Sequence, residues 1–188
     1  MSSHAPADRT RMHRLTALLA VLALITSGLL LGGAGSAAAS SDAVACTPTS
    51  SSVATFNPPL TSTEAPTTIT ASRVYSPCVS ALYPQLISGT SFGVRSVPRS
   101  CLDLLASSRI SWTIDWNTGQ SSDVVANGAV NIVGAVVTVT YTGTVVSGLF
   151  AGDTLVQQEV GPATSILECT LGLGTVSSFY ATMTLVIV

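Results

Sequence analysis

Few residues in this chain of 188 can do chemistry, and their types narrow what that chemistry is. The later carboxylates are Asp103, Asp115, Asp123, Asp153, Glu159 and Glu168. Asp115 and Asp123 flank the turn sequence Asn117-Thr118-Gly119 and could approach each other. A pair of that kind is what glycoside hydrolysis uses, one carboxyl as acid and the other as base or nucleophile. With Asn117 the same two offer oxygen ligands of the type calcium takes, but the DxDxDG spacing of a dedicated loop is absent. Both positions also fit ordinary solvent-facing carboxylates, Asp115 on the polar face of a strand and Asp123 near a turn. The sequence therefore reads as a non-enzymatic protein with no cofactor and no metal.

Composition removes most other chemistries. All seven basic residues are arginines, and Arg9, Arg11 and Arg14 lie in the first fourteen positions with both histidines, His4 and His13. Past residue 39 there is no histidine and no lysine. Histidine acid–base catalysis, His-ligated metals, lysine Schiff bases and P-loop phosphate binding have no residues to run on. Four arginines against eight acidic residues in that stretch also exclude a basic nucleic-acid surface.

Residues 1–39 read as a signal peptide: three arginines, an apolar run from Leu15 to Leu31, then small residues ending in Ala37 and Ala39. A second small-x-small site, Ala43-Val44-Ala45, makes cleavage after Ala45 the alternative to Ala39. Export is thus expected, to the extracellular space or cell envelope, with no membrane span in the mature chain. Cys46, Cys78, Cys101 and Cys169 all follow the leader. With no CxxC pair and no histidine, they read as structural disulfides rather than metal ligands. Spacing leaves connectivity open; the preferred pairs are Cys46–Cys78 and Cys101–Cys169, with Cys46–Cys101 a rival.

The elements that must position these groups are strands. Ile110, Trp112, Ile114 and Trp116 alternate with Ser111, Thr113 and Asp115, the period of a half-buried strand. Val137, Val139 and Tyr141 form one face of a second strand, and Phe179, Met183, Leu185 and Ile187 one face of the last. These residues make the expected core. Asn117-Thr118-Gly119 reads as a turn, as does Asn127-Gly128, and Cys101 to Ser107 is the one plausible helical turn. The expected fold is all-β, an antiparallel sandwich or small closed barrel of about seven to nine strands with little or no helix. Residues 40–66, rich in Pro, Ser and Thr, are expected to be a partly ordered segment ahead of a single all-β domain at 67–188. The apolar terminal strand is expected in the interior of the sheet, since an exposed edge would invite aggregation.

Two segments carry a resemblance. Trp116-x-x-Gly119-x-x-Ser122 and Thr142-Gly143-x-Val145-x-Ser147-Gly148-x-Phe150-x-Gly152, followed by Cys169, resemble small secreted all-β proteins of actinobacteria such as streptomycetes. The resemblance covers roughly residues 101–188 and implies secretion without implying an activity. The longer proline-rich front half, with Cys46 and Cys78, departs from it.

Three functions fit. A cell-surface or extracellular binding or structural module comes first, presenting aromatic residues such as Tyr83, Phe92 or Phe150 to an extracellular protein or glycan, although Phe150, in a Gly-flanked turn, fits a plug at a barrel end equally well. A carrier of a small apolar ligand in a barrel cavity is the second. The third is a proteinase inhibitor with an exposed loop from Arg95 to Cys101, using Arg99 as a contact.

Overall fold

Alternating side chains build one continuous wall. A computed structural model describes residues 44–188; the expected signal peptide and its expected cleavage site at Ala39 lie outside the described residues. In chain order the strands are β1 (Val44–Cys46), β2 (Ser51–Leu60), β3 (Ala65–Tyr75), β4 (Cys78–Ser80), β5 (Gly89–Arg99), β6 (Ser108–Trp116), β7 (Ser121–Val133), β8 (Val136–Gly148), β9 (Thr154–Pro162) and β10 (Val176–Ile187). A short helix, α1 (Thr164–Thr170), separates β9 from β10. A 3-10 turn at Leu102–Leu104 lies between β5 and β6.

Eight strands form a closed antiparallel ring in the order β2-β3-β5-β6-β7-β8-β9-β10, and β10 returns to pair with β2. The terminal strand is thus interior to the sheet, as its two apolar faces require. Its second half also pairs with β1, which in turn pairs with β4. Ten strands exceed the expected number because β1 and β4 have three residues each, too few to show a period in the sequence. The fold is a barrel, not a sandwich.

The Pro/Ser/Thr-rich segment is not set apart from the domain. From Val44 onward it is β1, β2 and the start of β3, and residues 51–57 pair with β3 along their length. Pro58 and Pro59 follow the last of those pairs, where a missing N–H breaks no ladder bond to β3. Thr55 and Asn57 are exposed on the outside of a wall whose inward residues include Ser52, Phe56 and Ile69.

Two apolar clusters close the ends. Ile114, Trp116, Leu155, Met183, Leu185 and Ile187 pack at one end with Phe150 and Leu86. Phe56, Leu60, Val137, Ile166 and Val176 pack at the other, under α1. A disulfide anchors each end, Cys46–Cys78 joining β1 to β4 and Cys101–Cys169 tying the 3-10 turn to α1. The helix was not expected at 164–170. Seven residues are too short for propensity to hold; burial of Ile166 and the Cys169 bridge hold it instead.

Asn127-Gly128 is not a turn. Both residues lie inside β7, opposite Arg109 and Ser108, and the reversal comes later, at Gly134 with φ +59°. Gly128 is glycine because a Cβ there would stand 2.9 Å from Cε1 of Tyr141. The Tyr141 ring occupies the space that a side chain on β7 would fill. Gly128→Leu should therefore lose about 1–3 kcal/mol of stability in urea denaturation, the usual cost of overpacking. Gly93→Ala, where a Cβ meets nothing within 4 Å, should be close to neutral; equal losses at the two sites would refute the steric account.

Candidate functional site

Between the two apolar ends the lumen is polar. Arg73 on β3 reaches Glu159 on β9, its Nε–H donating to Oε1 at 3.0 Å, and both side chains are nearly out of solvent. Gln157 donates from Nε2 to the same oxygen at 2.8 Å. Tyr75 donates its hydroxyl proton to Gln157 Oε1 at 3.0 Å and accepts from Trp112 Nε1–H at 3.0 Å. The Arg73 guanidinium also lies 5.1 Å from the Trp112 ring centroid and 5.9 Å from that of Tyr141, within cation–π range. One chain of donors and acceptors thus runs from β6 through β3 to β9.

The charges follow from these neighbours. Burial works against the Arg73 cation, but Glu159 and the two tyrosines hold its pKa above the usual value. Burial pushes the Tyr141 phenol up to about 12, with Glu159 adding to the effect, and burial raises Tyr75 further. Both phenols stay protonated and serve as hydrogen-bonding groups, not bases. Glu159 is committed to two donors, which makes the pair a structural charge at the centre of the lumen.

A cavity of about 160 Å³ lies beside this belt, lined by Arg73, Tyr141 and Glu159 and by the apolar Phe56, Val139 and Phe179. Ile110, Val139, Tyr141 and Phe179, expected as sealed core, are only partly buried and form its wall. Trp112, also expected as core, is partly buried and lines the adjoining opening. Ile114, Trp116, Val137, Met183, Leu185 and Ile187 are buried as expected.

The opening lies in the wall. β5 pairs with β3 over its full length, but with β6 only at Gly89↔Trp116 and Thr90↔Asp115. Beyond Thr90 the two strands part, and the 100–107 connection spans the gap at its wide end. A groove of about 560 Å³ occupies it, lined by Phe92 and Val94 on the outer side and by Ile69, Arg73, Arg95 and Trp112 on the inner. Ile69, Ala71, Arg73, Arg95 and Ile110 line both spaces, so cavity and groove adjoin.

Arg95 stands opposite Ile69 in the β3–β5 register and shares its inward face. Arg99 lies 3.6 Å from Asp103, whose carboxylate also accepts from the Ser100 N–H at 2.7 Å and hydroxyl at 2.8 Å. The Ser100 N–H, its hydroxyl and Arg99 hold the Asp103 pKa below the usual carboxylate range despite some burial. The stretch Arg95–Arg99 is strand paired with β3 along its length, not the loop an inhibitor would present.

The other expected residues are dispersed. Phe150 is 4% exposed rather than available for recognition; with φ +67° it turns inward and plugs the barrel end edge-on to Tyr83 and Trp116. Tyr83 is half-buried against it, whereas Phe92 is 72% exposed on the outer rim of the opening. Asp115 and Asp123 are diagonal neighbours on the exposed face of the β6–β7 hairpin, Asp115 standing opposite Ser121. Asp123 lies opposite Thr113 and takes hydrogen bonds from the Thr113 and Ser147 hydroxyls at 2.7 and 2.6 Å. Asn117 spends its amide on Gln85, Ile87 and Ser88. No group of His, Cys, Asp and Glu suited to a metal ion occurs among the described residues.

The belt residues Arg73, Tyr75, Gln157 and Glu159 were not singled out by sequence. Their signal was parity: Arg73 shares a face with Ile69 and Ala71, and Glu159 with Leu155. A charge in step with the apolar face of a strand marks an inward ion. The chain matches no protein-family model, no curated protein and no solved structure.

Two outcomes follow. Arg73→Met should cost about 3–5 kcal/mol in urea unfolding by leaving Glu159 buried without its cation, and adding Glu159→Gln should recover much of the loss. A double variant as unstable as the single would contradict the pairing. Asp103, with its depressed folded pKa, contributes stability that is present above the unfolded carboxylate pKa and lost as pH falls through the folded value. The Tm deficit of Asp103→Ala should thus be constant from about pH 7 to pH 5 and close below about pH 4; a deficit that persists at pH 2 would assign it to packing.

Proposed function

We propose that this protein is a non-enzymatic carrier that takes a small, largely apolar molecule into the barrel lumen through the opening between β5 and β6. The shared wall of cavity and groove carries this reading. Both barrel ends are plugged by apolar side chains, so the side opening is the route that remains. An engineered apolar cavity of about 150 Å³ holds benzene, and the space here is about 160 Å³ before the groove is added. Two disulfides fit an oxidising compartment, in keeping with export of the chain. The lumen groups favour holding over chemistry: the belt carboxylate is already bound to two donors and both belt phenols are protonated.

Titration of the folded protein with 1-octanol, followed by amide and methyl NMR, should shift signals of Ile69, Ile110 and Val139. Ala71→Leu, which adds bulk where cavity and groove meet, should weaken that binding about tenfold. Shifts confined to the outer surface, or no change in affinity in the variant, would contradict a lumen site.

A further inference from the structure

We infer that the lumen ligand carries an anionic group, such as a carboxylate, held by Arg95 and Arg99 along β5 while its apolar body lies in the cavity. This rests on the carrier reading and adds to it the chemical class of the ligand.

The inner space is lined by Arg73, Arg95 and Arg99 against Glu159 and Asp103. Arg73 is matched by Glu159, and Arg99 is loosely matched by Asp103 at 3.6 Å. Arg95 makes no ion pair among the described residues. It stands in a partly desolvated position near two other guanidinium groups, and burial together with repulsion from Arg99 and Arg73 lowers its pKa. The cation is therefore retained where its surroundings disfavour it, and an arriving anion would relieve that imbalance. Arg99 supplies an independent observation. Its Nε is buried with no hydrogen-bond partner, although a buried N–H without an acceptor is uncommon and costly.

Placement agrees with this assignment. Arg95 lines both the cavity and the wall opening, so a headgroup there would sit where the ligand enters. Ile69 lies directly opposite Arg95, and Val139 and Phe179 line the cavity beyond it. A carboxylate accepts well from guanidinium groups, and such charge-assisted bonds are stronger than neutral ones. Phosphate-bearing ligands with bulky heads are less suited, because Asp103 and Glu159 share the chamber.

The test compares octanoate with 1-octanol, which share a chain length and differ in the charged group, by titration calorimetry on the folded protein at neutral pH. Octanoate should bind at least about tenfold more tightly than octanol, as one charge-assisted hydrogen bond provides. Its affinity should fall with added salt while that of octanol does not. Arg95→Gln should remove the preference, bringing octanoate affinity down to that of octanol on the same variant, and Arg95→Lys should keep part of it. Arg95 is exposed, so the variants should fold, which their circular dichroism and Tm establish. Equal binding of the two ligands, or a preference that survives Arg95→Gln, overturns the anion assignment and leaves the carrier reading standing. Failure of both ligands to bind overturns the carrier reading and this inference with it.

Discussion

A buried ion pair decides what the barrel can be. Arg73 and Glu159 meet inside the lumen from β3 and β9, which are separated in the ring by β10 and β2, and two charges taken from water stay ionised only when they are paired and hydrogen-bonded. Gln157 donates to the Glu159 carboxylate and is itself held by Tyr75, which Trp112 holds in turn, and the rings of Trp112 and Tyr141 lie near the guanidinium. Satisfying one charge pair thus recruits side chains from β3, β6, β8 and β9. A lumen committed in this way cannot be filled to the density of a hydrocarbon core, and a cavity persists beside the belt.

The second constraint is closure. An eight-stranded antiparallel ring is near the width at which interior side chains fill the barrel or leave room for one small ligand. Here the ends are filled and the middle is not. β10 secures the ring by pairing with β9, β2 and β1. The β5–β6 junction is the weak seam: at Gly89↔Trp116 the strands meet, and a Cβ on Gly89 would stand 2.8 Å from Cε3 of Trp116. Past that contact the strands separate, and the exposed backbone edge lies beside Arg95 and Phe92. The wall therefore closes where the indole packs and opens where the guanidinium stands, which couples architecture to the proposed site.

Much of this fold is legible in the sequence because alternation is a local property. Ile110 to Trp116, Val137 to Tyr141 and Phe179 to Ile187 show their inward faces directly, and the absence of histidine and lysine past residue 39 sets aside whole classes of chemistry. The site is less legible because it depends on which strands become neighbours. Arg73 and Glu159 lie 86 residues apart, and nothing local records that β3 faces β9. Asn127-Gly128 misleads for a related reason: the dipeptide has turn chemistry, but the glycine answers to the Tyr141 ring on the next strand. Phe150, in a glycine-flanked turn, has the sequence context of either an exposed aromatic or a plug, and tertiary packing shows it as the plug.

The central claim is that the lumen is a ligand site entered between β5 and β6. The most direct measurement is a high-resolution crystal structure of the protein soaked in octanoate. The account predicts continuous density with the chain among Ile69, Val139 and Phe179 and the carboxylate within hydrogen-bonding distance of the Arg95 guanidinium. A lumen holding only water, or one in which Tyr141 and Phe179 have closed the cavity, would contradict it.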